Sequence, residues 1–281
     1  LGVLMFCGIS FCLSAGGVGL YAASPPDVTN ILILGSDARP NTAEEQIART
    51  DSIMVLSINP NNQSISLFSV PRDVFIQSPR FGWLRANTVV RNAELNREGS
   101  GIDEMIAAME GTFDIQIDGY MRVSFESFVA LVDAVGGITI NVPKYIVDNE
   151  YPTYDYGMMR IEFFAGEQQM DGETALIYAR TRHGDDDYNR AARQQQVVEA
   201  VISKLLSPAT IDNYPTAINA IFSNMETDVN IAEWMSHSPG FLLYGNHVNQ
   251  FVVDRNYILA RNGAAYPNTQ TLEPWIAEYM R

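Results

Sequence analysis

The chain has 281 residues, long enough for one large domain or two small ones, and its 47% hydrophobic and 18% charged content reads as globular. The formal net charge is −15 with no Lys/Arg-rich run, so the electrostatic footprint that nucleic-acid binding needs is missing. Both cysteines, Cys7 and Cys12, lie in the first apolar stretch, which excludes a disulfide framework, a thiol nucleophile or a Cys-based zinc site from the rest.

Leu1 to Ala23 contains no charged side chain. As a helix it would rise about 35 Å, enough for the hydrocarbon core of a bilayer. The spacing predicts a transmembrane anchor over 1–23; a cleaved signal peptide ending near Ala22-Ala23-Ser24 is the alternative. A buried core helix fits less well, because the stretch is apolar all round. No basic residue precedes the run in this sequence, so flanking charge does not set its orientation.

Residues 24–29, with Pro25-Pro26, form a stiff linker. Asn30 to Gly35 reads as a buried strand ending at a glycine, and Ser36 to Thr50 is polar. Asp51 to Ile58 and Ser64 to Val70 form an expected β-hairpin around the turn Asn59-Pro60-Asn61-Asn62. Asp103 to Gly111 has helical spacing, and Ile115 to Val123 reads as a strand. Ser124 caps a helix that runs to Val135 and stops at Gly136-Gly137; Ile138 to Val142 follows as a strand. Asp171 to Ala179 and Asp187 to Leu206 are expected helices, the second long and amphipathic. After Pro208 the pattern weakens to two helices and a strand at Gln250 to Val253. Strands alternating with helices predict an α/β protein: an α-β-α sandwich around a mixed central sheet, preceded by one transmembrane helix. A main domain over 30–206 is completed by a C-terminal part of the same domain over 207–281.

Arginines and aspartates recur at strand ends and helix starts: Gly35-Ser36-Asp37, Arg49-Thr50-Asp51 and Pro71-Arg72-Asp73. Ligand sites on open α/β sheets gather at strand ends, although each triplet alone could equally be an exposed loop with weak surface pairs. The fourth group is denser. Tyr178-Ala-Arg180-Thr-Arg182-His183 precedes Asp185, Asp186 and Asp187, then Tyr188-Asn-Arg190-Ala-Ala-Arg193-Gln194. Arg180 and Arg182 would share a face if extended, and Arg190 and Gln194 are i,i+4 on a helix. Converging guanidinium forks suit a phosphate-bearing ligand, and a helix N-terminus near Asp187 adds backbone donors. The alternative is a solvated helix laced by Arg/Asp pairs. A pyrophosphate so held commonly also takes Mg²⁺, for which Asp37 and Asp51 are the natural carboxylates. Asp73 would then orient Arg72 or Arg49. The three histidines, His183, His237 and His247, lack metal-ligand spacing, and no GxSxG elbow, Walker loop or dinucleotide fingerprint occurs.

In order, Asn30-Ile-Leu-Ile-Leu-Gly-Ser-Asp37, Arg49-Thr-Asp-Ser-Ile-Met54, Ser69-Val-Pro-Arg-Asp73, Gly119-Tyr-Met-Arg-Val-Ser-Phe125, Leu131-Val-Asp-Ala-Val-Gly-Gly-Ile138 and Tyr178-Ala-Arg-Thr-Arg-His183 with Asn189-Arg-Ala-Ala-Arg-Gln-Gln-Gln196 resemble the LytR–CpsA–Psr family. The resemblance spans about residues 30 to 206. It implies an extracytoplasmic domain anchored in the cell membrane, with a deep apolar pocket for a polyprenyl chain and a mouth for its pyrophosphate. It also implies a phosphotransferase that moves a glycopolymer from an undecaprenyl-pyrophosphate carrier to peptidoglycan, leaving a phosphodiester link. Carried over motif by motif, Arg49, Arg72, Arg180, Arg182, Arg190 and Gln194 hold phosphates, with Asp51, Arg49 and Arg72 the catalytic set. Asp37 and Asp51 sit at Mg²⁺, Asp51 also helping to activate the acceptor hydroxyl, while Asp73 and Arg193 support from behind. Ala48 stands where the family often has Gly, and Arg85-Ala-Asn-Thr88 matches only loosely and is left out of the site. The helix faces at 124–135 and 187–206 are the expected pocket walls. A polyprenyl-pyrophosphate hydrolase and a non-catalytic lipid-glycan binder or membrane-bound regulator are the rival readings.

Overall fold

The computed structural model describes residues 15–36, 49–153, 157–182, 187–207, 222, 225–230, 234, 236–246 and 248–281. A short helix α1 (Ala15–Ala23) leads into β1 (Thr29–Ser36), followed by the hairpin β2 (Thr50–Asn59) and β3 (Ser64–Ser69). A smaller hairpin, β4 (Phe75–Ser78) and β5 (Gly82–Arg85), precedes helices α2 (Val89–Asn96) and α3 (Gly101–Phe113). Then come β6 (Gly119–Val123), α4 (Phe125–Ala134), β7 (Ile138–Val142) and the hairpin β8 (Ile146–Pro152) and β9 (Met158–Phe163). β10 (Gly166–Met170) leads into α5 (Gly172–Arg180) and α6 (Asp187–Leu205). The chain ends through β11 (Glu226–Thr227), α7 (Ser238–Tyr244), β12 (Val248–Val252), the hairpin β13 (Ile258–Arg261) and β14 (Ala264–Pro267), and α8 (Thr269–Tyr279).

Six strands form the middle layer in the order β11-β6-β1-β2-β3-β12. β1 runs antiparallel to β2 and parallel to β6, while β3 runs antiparallel to β2 and parallel to β12, so the sheet is mixed. Alternation along β1 and β2 divides the core. Leu32, Leu34, Ile53 and Val55 face a layer holding Met105, Met109 and Phe113 of α3 and Leu272 and Ile276 of α8. Met54, Leu56 and Ile58 face Ile202 of α6 and Phe241 of α7. The expected α-β-α sandwich around a mixed sheet is therefore the observed architecture. Because β12 pairs with β3, the C-terminal part completes the same sheet.

Local chemistry sets the element ends as expected. Asn59 Oδ1 accepts from the amides of Asn61 and Asn62, closing the β2–β3 turn. Ser124 Oγ accepts from Ser127 N at the start of α4, and Asp171 Oδ1 from Thr174 N at the start of α5. Gly137, at φ +78°, needs to be glycine twice over: its backbone is left-handed and a Cβ would lie 2.9 Å from the Met170 carbonyl. The strand expected from Ile115 starts only at Gly119, because Asp118 turns back to accept from Asn30 N at 2.8 Å. The two small hairpins β4–β5 and β8–β9 were not expected; their short strands carry polar residues at positions that periodicity treats as loop.

Among the described residues no helix is long and apolar enough to cross a membrane. The spanning helix expected over 1–23 thus finds no support in the fold; its described part is α1, nine residues long, and residues 1–14 lie outside the described ones. Tyr21 on α1 is buried against Gly240 of α7, where a Cβ would meet the phenol oxygen at 2.5 Å.

One glutamine seats α6 on the sheet. The buried Gln195 Nε2 lies 2.8 Å from Ser69 Oγ, 3.1 Å from the Leu67 carbonyl and 2.7 Å from the Phe251 carbonyl. Gln195→Ala removes the buried polar link between α6 and the sheet, so urea unfolding should show a loss of about 1–3 kcal/mol.

Candidate functional site

Helices α4, α5 and α6 do not close fully on the sheet, and a cavity of about 700 Å³ remains between them. Ile33, Met54, Leu56 and Met121 line it from the strands, Phe128 and Leu131 from α4, and Val197, Val201, Ile202 and Leu205 from α6. The two helix faces expected as walls are the walls. Its polar lining gathers where β1 ends, β2 begins and α6 starts: Ser36, Arg49, Asp51, Arg72, Arg180, Arg182, Arg190 and Gln194.

An ion-pair network joins these residues across long sequence separations. Asp51 Oδ2 accepts from Arg72 Nη1 at 2.9 Å and from Arg182 Nη2 at 2.8 Å. Arg72 Nε also lies 3.4 Å from Asp187 Oδ2 and 3.7 Å from Asp73 Oδ2. Asp187, the first residue of α6, sits 3.0 Å from Arg190 Nη1 one turn on, though not aligned for a hydrogen bond. Asp73 reaches outward as well, to Arg85 Nη1 at 3.9 Å. Asp73 thus lies between Arg72 and Arg85, the latter left out of the expected site.

Asp51 lies within β2, so its carboxylate is held by the sheet. The geometry corrects one expectation. Arg180 and Arg182 do not share an extended face, because Arg180 is the last residue of α5 and the chain turns at Thr181. Arg180 stacks over Phe125 at 4.1 Å and donates to Tyr151 Oη at 2.9 Å, whereas Arg182 goes to Asp51. Asp37, His183, Asp185, Asp186 and His247 lie outside the described residues.

Two buried groups set that turn. Arg193 donates Nε to the Tyr178 carbonyl at 3.1 Å and Nη2 to the Thr181 carbonyl, so it supports the site from behind as expected. Asp148, absent from the expected site, accepts from Thr181 Oγ1 at 2.8 Å while only 1% exposed. It sits in a hairpin whose sequence, Ile146-Val-Asp148, carries no motif. Its signal is burial, which the sequence does not display.

Charges of both signs crowd the mouth: arginines line it together with Asp51, Asp148 and Glu150, and Asp73 and Asp187 pair with Arg72. Burial, then the nearby guanidiniums of Arg182 and Arg72, push Arg190 down to about 10 against the partial relief of Asp187 and Asp51. Arg190 still stays protonated at neutral pH. Burial opposes the charge of Arg72 too, but Asp51, Asp187 and Asp73 outweigh it and raise its pKa. Asp187 is held below the usual carboxylate value: burial works against it, and Arg190, Arg72, a hydrogen bond with Asp73 and then Arg182 prevail. Asp51 Oδ1, Arg72 Nε and Arg190 Nη1 are buried without a hydrogen-bond partner. The unpaired donors of Arg72 and Arg190 thus leave hydrogen-bonding capacity that suits an anion.

No group of three or more His, Cys, Asp or Glu among the described residues is placed to hold a metal ion. Mg²⁺ asks for less, one or two carboxylates completed by phosphate oxygens and water, and the free Oδ1 of Asp51 fits that demand.

The LytR_cpsA_psr family profile matches residues 20–274. TagU of Oceanobacillus iheyensis, a polyisoprenyl-teichoic acid–peptidoglycan teichoic acid transferase, is 31% identical over 73% of this chain and 60% of its own length. The chain thus spans less than two thirds of that relative. The crystal structure of B. subtilis TagV superposes with a TM-score of 0.72 at 24% identity, covering 90% of this chain and 97% of that one. TagT bound to LIIa-WTA gives 0.69 at 22% identity over 90% and 91% of the two chains. At these identities the structural likeness establishes the fold.

Two outcomes follow from the geometry. Arg193→Ala should cost about 2–4 kcal/mol in denaturant unfolding, and Arg193→Lys should recover little of it, because one ammonium cannot serve both carbonyls. Inorganic pyrophosphate should raise the melting temperature of the protein, by an amount that shrinks in Arg190→Ala and at high salt.

Proposed function

Because the chain belongs to the LytR_cpsA_psr family, we propose that it is a phosphotransferase that moves a glycopolymer from an undecaprenyl-pyrophosphate carrier to peptidoglycan, forming a phosphodiester. The observation that carries the reading is one cavity with two chemistries: an apolar trough between sheet and helices that opens into a cluster of arginines. A polyprenyl chain fits the first and its pyrophosphate the second.

In this reading Arg49, Arg72, Arg180, Arg182, Arg190 and Gln194 bind the two phosphates, and Arg193, Asp73 and Asp148 hold them in place. The acceptor hydroxyl oxygen attacks the phosphorus that bears the glycan. Its bond to the bridging oxygen breaks, and polyprenyl phosphate leaves with that electron pair. The hydroxyl proton passes to Asp51, whose Oδ1 has no other partner. The guanidiniums stay where charge develops on the phosphoryl oxygens, so little reorganisation is needed during the step. Mg²⁺, when bound, would add neutralising charge on the phosphates, held by Asp51 together with Asp37. The apolar residues 1–23 would anchor the chain in the cell membrane, with the domain on the extracytoplasmic side where the acceptor lies.

The test is incubation of the full chain, in detergent, with a labelled polyprenyl-pyrophosphate glycan, Mg²⁺ and a peptidoglycan fragment. A phosphodiester-linked product that disappears with EDTA supports the reading. Arg72→Ala and Arg182→Ala should each lower turnover at least about 10²-fold while leaving the circular dichroism spectrum unchanged. Near-normal rates in both variants would overturn the site assignment. Release of lipid phosphate without transfer would point to hydrolysis.

A further inference from the structure

Beside the mouth, aromatic rings reach the surface on one face of the β4–β5 hairpin. The register pairs Phe75 with Arg85 and Gln77 with Trp83, so these four side chains share a face while the buried Ile76 points inward. Tyr266 of β14 joins them, its ring centroid 5.3 Å from Phe75 and 5.2 Å from Trp83. Phe75 and Tyr266 suffice to pack one hairpin on the other, and the bridge between Val74 and Ala265 fixes that contact. Trp83 meets Tyr266 edge to face and otherwise stands at the outer edge, 44% exposed, with Gln77 exposed next to it.

We propose that this face is a saccharide platform for the acceptor, on which the glycan strand lies while one of its hydroxyls reaches the mouth. The proposal rests on the transferase reading above. Flat rings with polar edges suit a sugar, whose C–H face packs on an aromatic and whose hydroxyls need donors and acceptors at the rim. Gln77 and Arg85 supply that rim.

Position ties the platform to the reaction. Asp73 lies between Arg85 at 3.9 Å and Arg72 at 3.7 Å, so the face continues directly into the phosphate-binding arginines. From Arg85 to Trp83 is two strand residues, about 7 Å along the outer surface. The choice of acceptor over donor follows from in-line displacement. The leaving polyprenyl phosphate points into the cavity, so the attacking oxygen comes from the side facing out, where the platform is.

The experiment uses the full chain and soluble, uncrosslinked peptidoglycan glycan strands as the probe. Calorimetry should show binding by the native protein and its loss in Trp83→Ala, with Trp83→Phe between them. In the transfer assay Trp83→Ala should raise the acceptor KM about tenfold and leave kcat, the donor KM and the circular dichroism spectrum unchanged. An unmoved acceptor KM overturns the platform, and a raised donor KM reassigns it to the donor glycan. If the native protein transfers nothing, the transferase reading fails, yet the calorimetric arm still decides whether the face binds saccharide. No binding by the native protein ends the proposal.

Discussion

A single oxygen, Oδ2 of Asp51, organises the mouth of this protein. It accepts from Arg72, which follows β3, and from Arg182, which lies 131 residues away in sequence beyond α5. Two guanidiniums drawn to one atom would otherwise repel, and neither loop has a hydrophobic reason to approach the other. Because Asp51 sits inside a strand, the attraction has a fixed origin. Arg72 and Arg182 are then placed relative to the sheet. The carboxylates assemble the arginines without using every donor: Arg72 Nε and Arg190 Nη1 stay without a hydrogen-bond partner.

The cavity is the second constraint. A three-layer sandwich gains stability by bringing helices down onto the sheet, and an unfilled space of this size forfeits contacts that ordinary packing would make. The gap persists because α5 and α6 are held elsewhere. Gln195 fastens α6 to β3 and β12, and Tyr178, fully buried, donates to Gln196 Oε1 and packs on Phe163 of β9. The cluster formed by β7 to β10 acts as a strut beside the main sheet. Polar fasteners at fixed points thus do what packing alone would undo.

Much of this was legible in the sequence, for physical reasons. The central strands are long apolar runs, the helices have capped ends, and both signals are local. The arginine motifs were legible as well, because so many cations in an acidic chain stand out. What escaped was non-local. Asp148 looks like any hairpin aspartate until the fold buries it on Thr181. Arg85 matched its motif poorly and still reaches Asp73, since the β4–β5 register sets it opposite Phe75. The turn at Thr181, which sends Arg180 and Arg182 in different directions, depends on carbonyls that only the buried Arg193 can satisfy.

Helix α6 carries both halves of the site on one stripe. Arg190, Gln194, Val197, Val201 and Leu205 recur at intervals of three and four, with the guanidinium end at the mouth and the valines along the wall. The two chemistries are therefore locked in phase. Inserting or deleting a single residue between Gln194 and Val197 would turn everything beyond it by about 100°. The wall would rotate into the sheet or the solvent while the mouth stayed in place. A change of length inside this stretch of α6 would consequently uncouple the wall from the mouth. The helix behaves as a calibrated part, free to change side chains but not its count.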